Sequence, residues 1–165
     1  MKAVPVAGVI QPESITNRAA GLALHERLRT SLDSTAEQVV FDTYAARYRA
    51  SFDIPVLIPQ VYLQYDPYDQ RTRRNSPSGS PARQRMDFLL LFSDRRNVVI
   101  EVDGKHHYAS GAKASPELYA QMVSEDRRLR LAGYEVYRFG GAELFNGTSR
   151  FIVEEFFQQL TARMS

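Results

Sequence analysis

The spacing of apolar and polar positions divides the chain into helices and strands in a definite order. Residues 14–31 carry Leu22, Leu24 and Leu28 among arginines and a histidine and predict a helix. Ser34-Thr-Ala-Glu37 fits the Ser-x-x-Glu capping box and opens a second helix to about Arg49, with Val40, Tyr44 and Tyr48 at helical spacing. Asp53 and Pro55 end it, and Pro59–Tyr65 alternates as a strand. Met86–Phe92 and Asn97–Asp103 are nearly continuous apolar runs joined by the polar turn Ser93–Asn97. They predict a hairpin whose sheet is covered on both faces.

Ser115 followed by Pro116 is an N-cap with proline at the first helical position, and this helix stops before Gly133. Tyr134–Phe139 reads as a strand, and residues 149–163 as a helix presenting Ile152, Phe156 and Leu160 on one face. The helix before Tyr134 is long enough to lay that strand parallel to the one ending at Asp103. The expected fold is α/β, a mixed central sheet of about four strands flanked by helices, in the order ααβββαβα. Residues 1–33 read as a lead-in and helix, and 34–165 as the main domain of one globular unit.

With 165 residues, 44% hydrophobic and 24% charged, the chain has the composition of a soluble domain with its own core. No apolar run approaches the about 20 residues that span a bilayer, and the N-terminus lacks a secretory signal's apolar core. The absence of cysteine excludes disulfides and thiolate metal sites. A cytoplasmic protein without membrane partners is expected.

The net charge is only +2, but the basic residues are almost all arginine, with lysine at Lys2, Lys105 and Lys113 alone. Arginine suits phosphate because its planar fork donates two hydrogen bonds at once, although coding bias gives the same preference. Arg71, Arg73, Arg74, Arg83 and Arg85 lie in a Ser/Pro/Gly-rich stretch with no acid between Arg71 and Arg85. Nucleic acid is the natural partner of such a segment; a solvated insertion is the competing reading.

The densest chemistry lies at the end of the hairpin. Glu101 and Asp103 share one strand face, and lead through Gly104 into Lys105, His106 and His107. If Phe92 opposes Val98, Asp87 opposes Asp103 and lies diagonal to Glu101, whereas a one-residue slip sends Asp87 to the other face. Like charges on a buried face require a proton or a cation among them. A hard divalent ion resolves this, because Mg²⁺ keeps several waters and takes one or two carboxylates, here Asp87 and Glu101. Asp103 is a third candidate ligand. The alternative is a solvated sheet rim paired with arginine. Lys105 or His107 would assist proton transfer or stabilise a phosphate.

Asp87, Glu101 and the basic residues after it resemble the PD-(D/E)XK nuclease superfamily. Glu37, Pro59-Gln60, Arg85-Met-Asp-Phe88, Glu101-Val-Asp-Gly104 with His107, and Gly133-Tyr-Glu-Val-Tyr-Arg-Phe139 resemble the branch containing very-short-patch repair endonucleases and their bacterial relatives. The resemblance implies a restriction-endonuclease-like sheet and a Mg²⁺- or Mn²⁺-dependent endonuclease acting on nucleic acid, DNA before RNA, in repair or anti-phage defence. It implies that Glu37 helps hold the metal, favours His107 over His106, and departs where Asp103 stands at the lysine position of Glu-x-Lys. A homodimer or a larger multidomain context is compatible with it. The alternative function is a catalytically inactive nuclease-fold module that binds nucleic acid or a partner within a larger effector.

Overall fold

The computed structural model describes residues 17–51, 53–62, 85–92, 96–104, 109–110 and 113–164. The elements are α1 (Asn17–Thr30), α2 (Thr35–Arg47), β1 (Val56–Tyr62), β2 (Arg85–Leu91), β3 (Asn97–Asp103), the short pair β4 (Ala109–Ser110) and β5 (Lys113–Ala114), α3 (Pro116–Leu131), β6 (Tyr134–Gly140), a 3-10 turn (Gly141–Leu144) and α4 (Ser149–Met164). The protein is a mixed α/β fold with the expected order of main elements.

The main sheet has the order β1-β2-β3-β6. β1 and β3 flank β2 antiparallel, while β6 runs parallel to β3 after the crossover through α3. Local chemistry sets the ends of these elements. The Ser34 hydroxyl accepts from the Glu37 N–H at 3.1 Å and caps α2. Ser115 caps α3 in the same way through the Leu118 N–H, with Pro116 in the first turn. Gly133, at φ +92°, reverses the chain between α3 and β6 in a conformation that side chains disfavour.

Two apolar layers cover the two sheet faces. Val40, Phe41 and Tyr44 of α2, with Val153, Phe157, Leu160 and Met164 of α4, pack on Phe88, Leu90, Val98, Ile100 and Val102. On the other face Leu129 of α3 packs on Met86, Val99 and Val136. β3 is buried almost throughout, as its continuous apolar run predicts. No helix among the described residues is long and apolar enough to cross a membrane.

Several local expectations are corrected. β1 begins at Val56, three residues before Pro59, and residues 63–65 lie outside the described residues. The buried stripe of α4 runs through Val153, Phe157 and Leu160, one residue round from Ile152 and Phe156, which are only partly buried. Both rows are apolar, so packing against α2 decides between them. In α1, Leu22 and Leu24 are exposed and Leu28 alone of the three packs against the core. That helix rests on α2 through the Arg29–Asp42 ion pair and stacking of His25 on Phe41.

Candidate active site

The hairpin register differs from the expected one. Leu90, not Phe92, opposes Val98, and the Phe92 N–H closes the turn on the Arg96 carbonyl at 3.1 Å. The shift is two residues, so the face is kept and Asp87 comes level with Glu101 instead of Asp103.

β2 is irregular where Asp87 stands. Phe88 belongs to the layer under α2 and α4, whereas Met86 packs with Val99 and Leu129 on the opposite face. Strict alternation would place both on one face. On the neighbouring strand Pro59 pairs with Phe88 and Val61 with Met86, and Gln60 between them has φ +55°. The Asp87 carboxylate reaches across the hairpin and accepts the Val102 N–H at 2.9 Å.

Asp87 and Glu101 are each 8% exposed and Asp103 is 9% exposed, so their charges are poorly hydrated. Burial pushes the Asp87 carboxyl up to about 6; Glu37 and Asp103 push the same way, against the Val102 N–H and Arg85. Burial, then the Asp87 charge, pushes Glu101 up to about 8, against Arg138. Burial is the main cause for both acids, and neighbouring carboxylates add to it: Glu37 and Asp103 for Asp87, Asp87 and Asp103 for Glu101.

Asp103 has a different environment. Its carboxylate accepts from Arg138 Nη1 at 2.6 Å, and Arg138 Nε donates to Asp126 of α3 at 2.8 Å. Arg138 stands in the Gly133–Phe139 motif, for which no site role is expected from the sequence. The signal was the proposed parallel pairing of β6 with β3, but only the actual register puts Arg138 beside Glu101. Asp126 also lies 3.9 Å from Arg130, an i,i+4 ion pair along α3. Gly141 allows close approach at this sheet end, since a Cβ there would sit 3.0 Å from the Asp103 carbonyl oxygen.

Glu37 is buried and its carboxylate is well supplied with donors. The Ser34 hydroxyl donates at 2.7 Å, the Asp33 N–H at 3.2 Å and Gln60 Nε2 at 2.8 Å. The reciprocal arm of the capping box thus lands on the Asp33 N–H and the Ser34 hydroxyl. Glu37 still contributes charge to Asp87. Arg85 forms an ion pair with Asp33 and lies 3.8 Å from Asp87, so it faces the acids of the site. Lys105, His106, His107, Arg71, Arg73, Arg74 and Arg83 lie outside the described residues.

Among the described residues no group of three or more His, Cys, Asp or Glu is arranged to hold a metal ion. Asp87 and Glu101 remain as a pair, buried together with carboxyls held well above the usual range. Mg²⁺ accepts one or two carboxylates and completes its shell with water, so this donor pair fits such an ion. No family model, curated protein or solved structure matches the chain.

Proposed function

We propose that this chain is a metal-dependent nuclease of the PD-(D/E)XK kind that hydrolyses phosphodiester bonds of nucleic acid, DNA before RNA, in the cytoplasm. The observation that carries the reading is the buried Asp87–Glu101 pair at the end of the β2–β3 hairpin, both carboxyls raised by burial and Glu101 raised further by the Asp87 charge. Such a pair is costly to keep unless a cation uses it.

Asp87 and Glu101 would hold Mg²⁺ or Mn²⁺, with Asp103 oriented beside them by Arg138. A bound divalent ion supplies an acidified water and offsets charge on the scissile phosphate. Lys105 and His107 follow β3 directly in the sequence and would move the proton or pair with the phosphate. Arg71, Arg73, Arg74 and Arg83 would hold the nucleic-acid backbone electrostatically, whereas Arg85, expected to join them, is engaged by Asp33 and faces Asp87. DNA repair and anti-phage defence are the settings that suit this chemistry.

The test is one panel: plasmid, single-stranded DNA and RNA, each with Mg²⁺ or Mn²⁺, for wild type and Glu101→Ala. Cleavage by the wild type, lost in EDTA and in Glu101→Ala with binding retained, is expected. Full activity of Glu101→Ala, or of the wild type in EDTA, would sink the mechanism. A second reading, a nuclease-fold module that binds without cutting, is favoured by the ion pair on Asp103 and the three donors on Glu37. Binding without cleavage of any substrate in the panel would select it.

A further inference from the structure

Phe145 is exposed where the sheet ends beside the acids. In the main sheet β1, β3 and β6 all finish at this end, since β2 alone runs the other way. Asp103 closes β3 and pairs with Gly140, the last residue of β6. The chain then turns through the 3-10 segment Gly141–Leu144 and places Phe145 directly after it. Phe145 is 69% exposed.

The turn that carries the ring is anchored. Leu144 is buried in the layer with α2 and α4, and Glu143 accepts the Gly140 N–H at 2.7 Å. A Cβ at Gly141 would lie 3.0 Å from the Asp103 carbonyl oxygen and 3.7 Å from Phe145 Cε2. The ring edge and the end of β3 therefore flank the same point. Asp103 stands two residues beyond Glu101, about 7 Å along the strand. A single exposed phenylalanine needs no explanation by itself. Phe151 of α4 is about as exposed, but it lies with Glu154 and Glu155, whose charges repel a phosphate strand. Phe145 differs because a fixed turn presents it at the end of the strand that holds Glu101. A base that has left its stack needs a flat apolar surface, and an aromatic ring offers one to any base.

We propose that Phe145 is a stacking platform for an unpaired base next to the phosphate bound at Asp87 and Glu101, so that the substrate is a single strand or an unpaired part of a duplex. This role rests on the metal-dependent nuclease reading of the site and adds the form of strand that the site takes. The ring supplies affinity through the base, and the acids and arginines act on the phosphates, so the two contributions separate by ligand.

The chain contains no tryptophan, so Phe145→Trp places a single fluorophore at this ring. The experiment titrates the full chain in EDTA with three ligands: an oligothymidylate, an abasic strand of the same length and charge, and a blunt duplex. Oligothymidylate should quench the Phe145→Trp emission, and the abasic strand and the duplex should not. Phe151→Trp, with its ring among acids, should respond to none of them. By anisotropy, Phe145→Ala should bind oligothymidylate roughly tenfold more weakly than wild type, and Phe145→Trp should stay within roughly threefold. Phe145→Ala should bind the abasic strand and the duplex as wild type does.

Equal quenching by the abasic strand, an equal loss on all three ligands, or no loss in Phe145→Ala would each overturn the inference. A wild type that binds none of the three would overturn it too, and would leave the ring to a protein contact. Cleavage that needs Mg²⁺ or Mn²⁺ with an unaltered Phe145→Ala would remove this inference alone. Stacking as expected, with no cleavage of plasmid, single-stranded DNA or RNA, would leave Phe145 in this role and remove the nuclease reading alone.

Discussion

The Val102 N–H donates to the Asp87 carboxylate at 2.9 Å, so a side chain of β2 occupies a donor of β3. The acid is thus tied to the hairpin that Glu101 stands on, and its position is set by backbone. Asp87→Asn retains an acceptor for this donor, whereas Asp87→Ala leaves a buried N–H unmade. Leaving it so costs about 1–3 kcal/mol. Urea unfolding should therefore show Asp87→Ala clearly less stable than Asp87→Asn. Equal stabilities would mean that the bond contributes nothing.

Stability should depend on pH with a definite sign. Asp87 and Glu101 hold protons to about 6 and about 8 in the folded protein, above the values of exposed carboxyls. The folded state then binds more protons than the unfolded chain, so stability is fullest below about pH 4 for these two groups and falls as pH rises through about 8. Each pH unit over which one extra proton is retained costs about 1.4 kcal/mol. Melting curves in EDTA between pH 5 and 8.5 should show a fall that Glu101→Gln flattens at its upper end. Mg²⁺ should raise the Tm at pH 8 more than at pH 5, since it binds the ionised pair. A wild-type slope unchanged in Glu101→Gln would contradict the assignment.

Gln60 holds a left-handed backbone, at φ +55°, while its amide donates to Glu37. Gln60→Ala removes the amide but keeps the strain of a Cβ at positive φ. Gln60→Gly removes both. Glycine should therefore be more stable than alanine here by about 1 kcal/mol, the reverse of the order in a regular strand. Chemical denaturation of the two variants side by side measures it.

Thr43 of α2 buries its hydroxyl with no hydrogen-bond partner among the described residues. Thr43→Val keeps the shape and removes the desolvated group. A gain of roughly 1 kcal/mol is expected, read as a raised denaturation midpoint with unchanged m-value. A loss would show that the hydroxyl is satisfied.

Nucleic-acid binding should report the arginines of residues 71–83. Each phosphate contact contributes about 0.9 to the slope of log affinity against log salt on duplex DNA. Arg73→Gln/Arg74→Gln should lower that slope by roughly two if both residues meet phosphate. Fluorescence anisotropy at several salt concentrations reads it, and an unchanged slope would exclude both.

Much of the fold was legible because its signals are local. The Ser34 and Ser115 caps, Pro116, Gly133 and the continuous apolar run of β3 each act within a few residues, and each main helix and strand stands within a few residues of its expected place; the short pair β4 and β5 and the 3-10 turn were not expected. The Asp87–Glu101 approach was legible for a related reason. Strand side chains repeat every two residues, so an error of two in the hairpin register kept both acids together.

The sequence by itself determined which elements form, in what order, and that acids gather at one end of a buried hairpin. Only the tertiary structure decided which cations and donors meet those acids. Arg138 reaches Asp103 because β6 returns parallel to β3 after a long crossover, whose register no turn residue sets. Gln60 reaches Glu37 because one residue of β1 turns out of the pleat. The exposed Leu22 and Leu24, and the choice of Val153 over Ile152, were settled by which neighbour arrived to cover them. Periodicity identifies a face; packing between distant segments decides whether that face is buried, and against what charge.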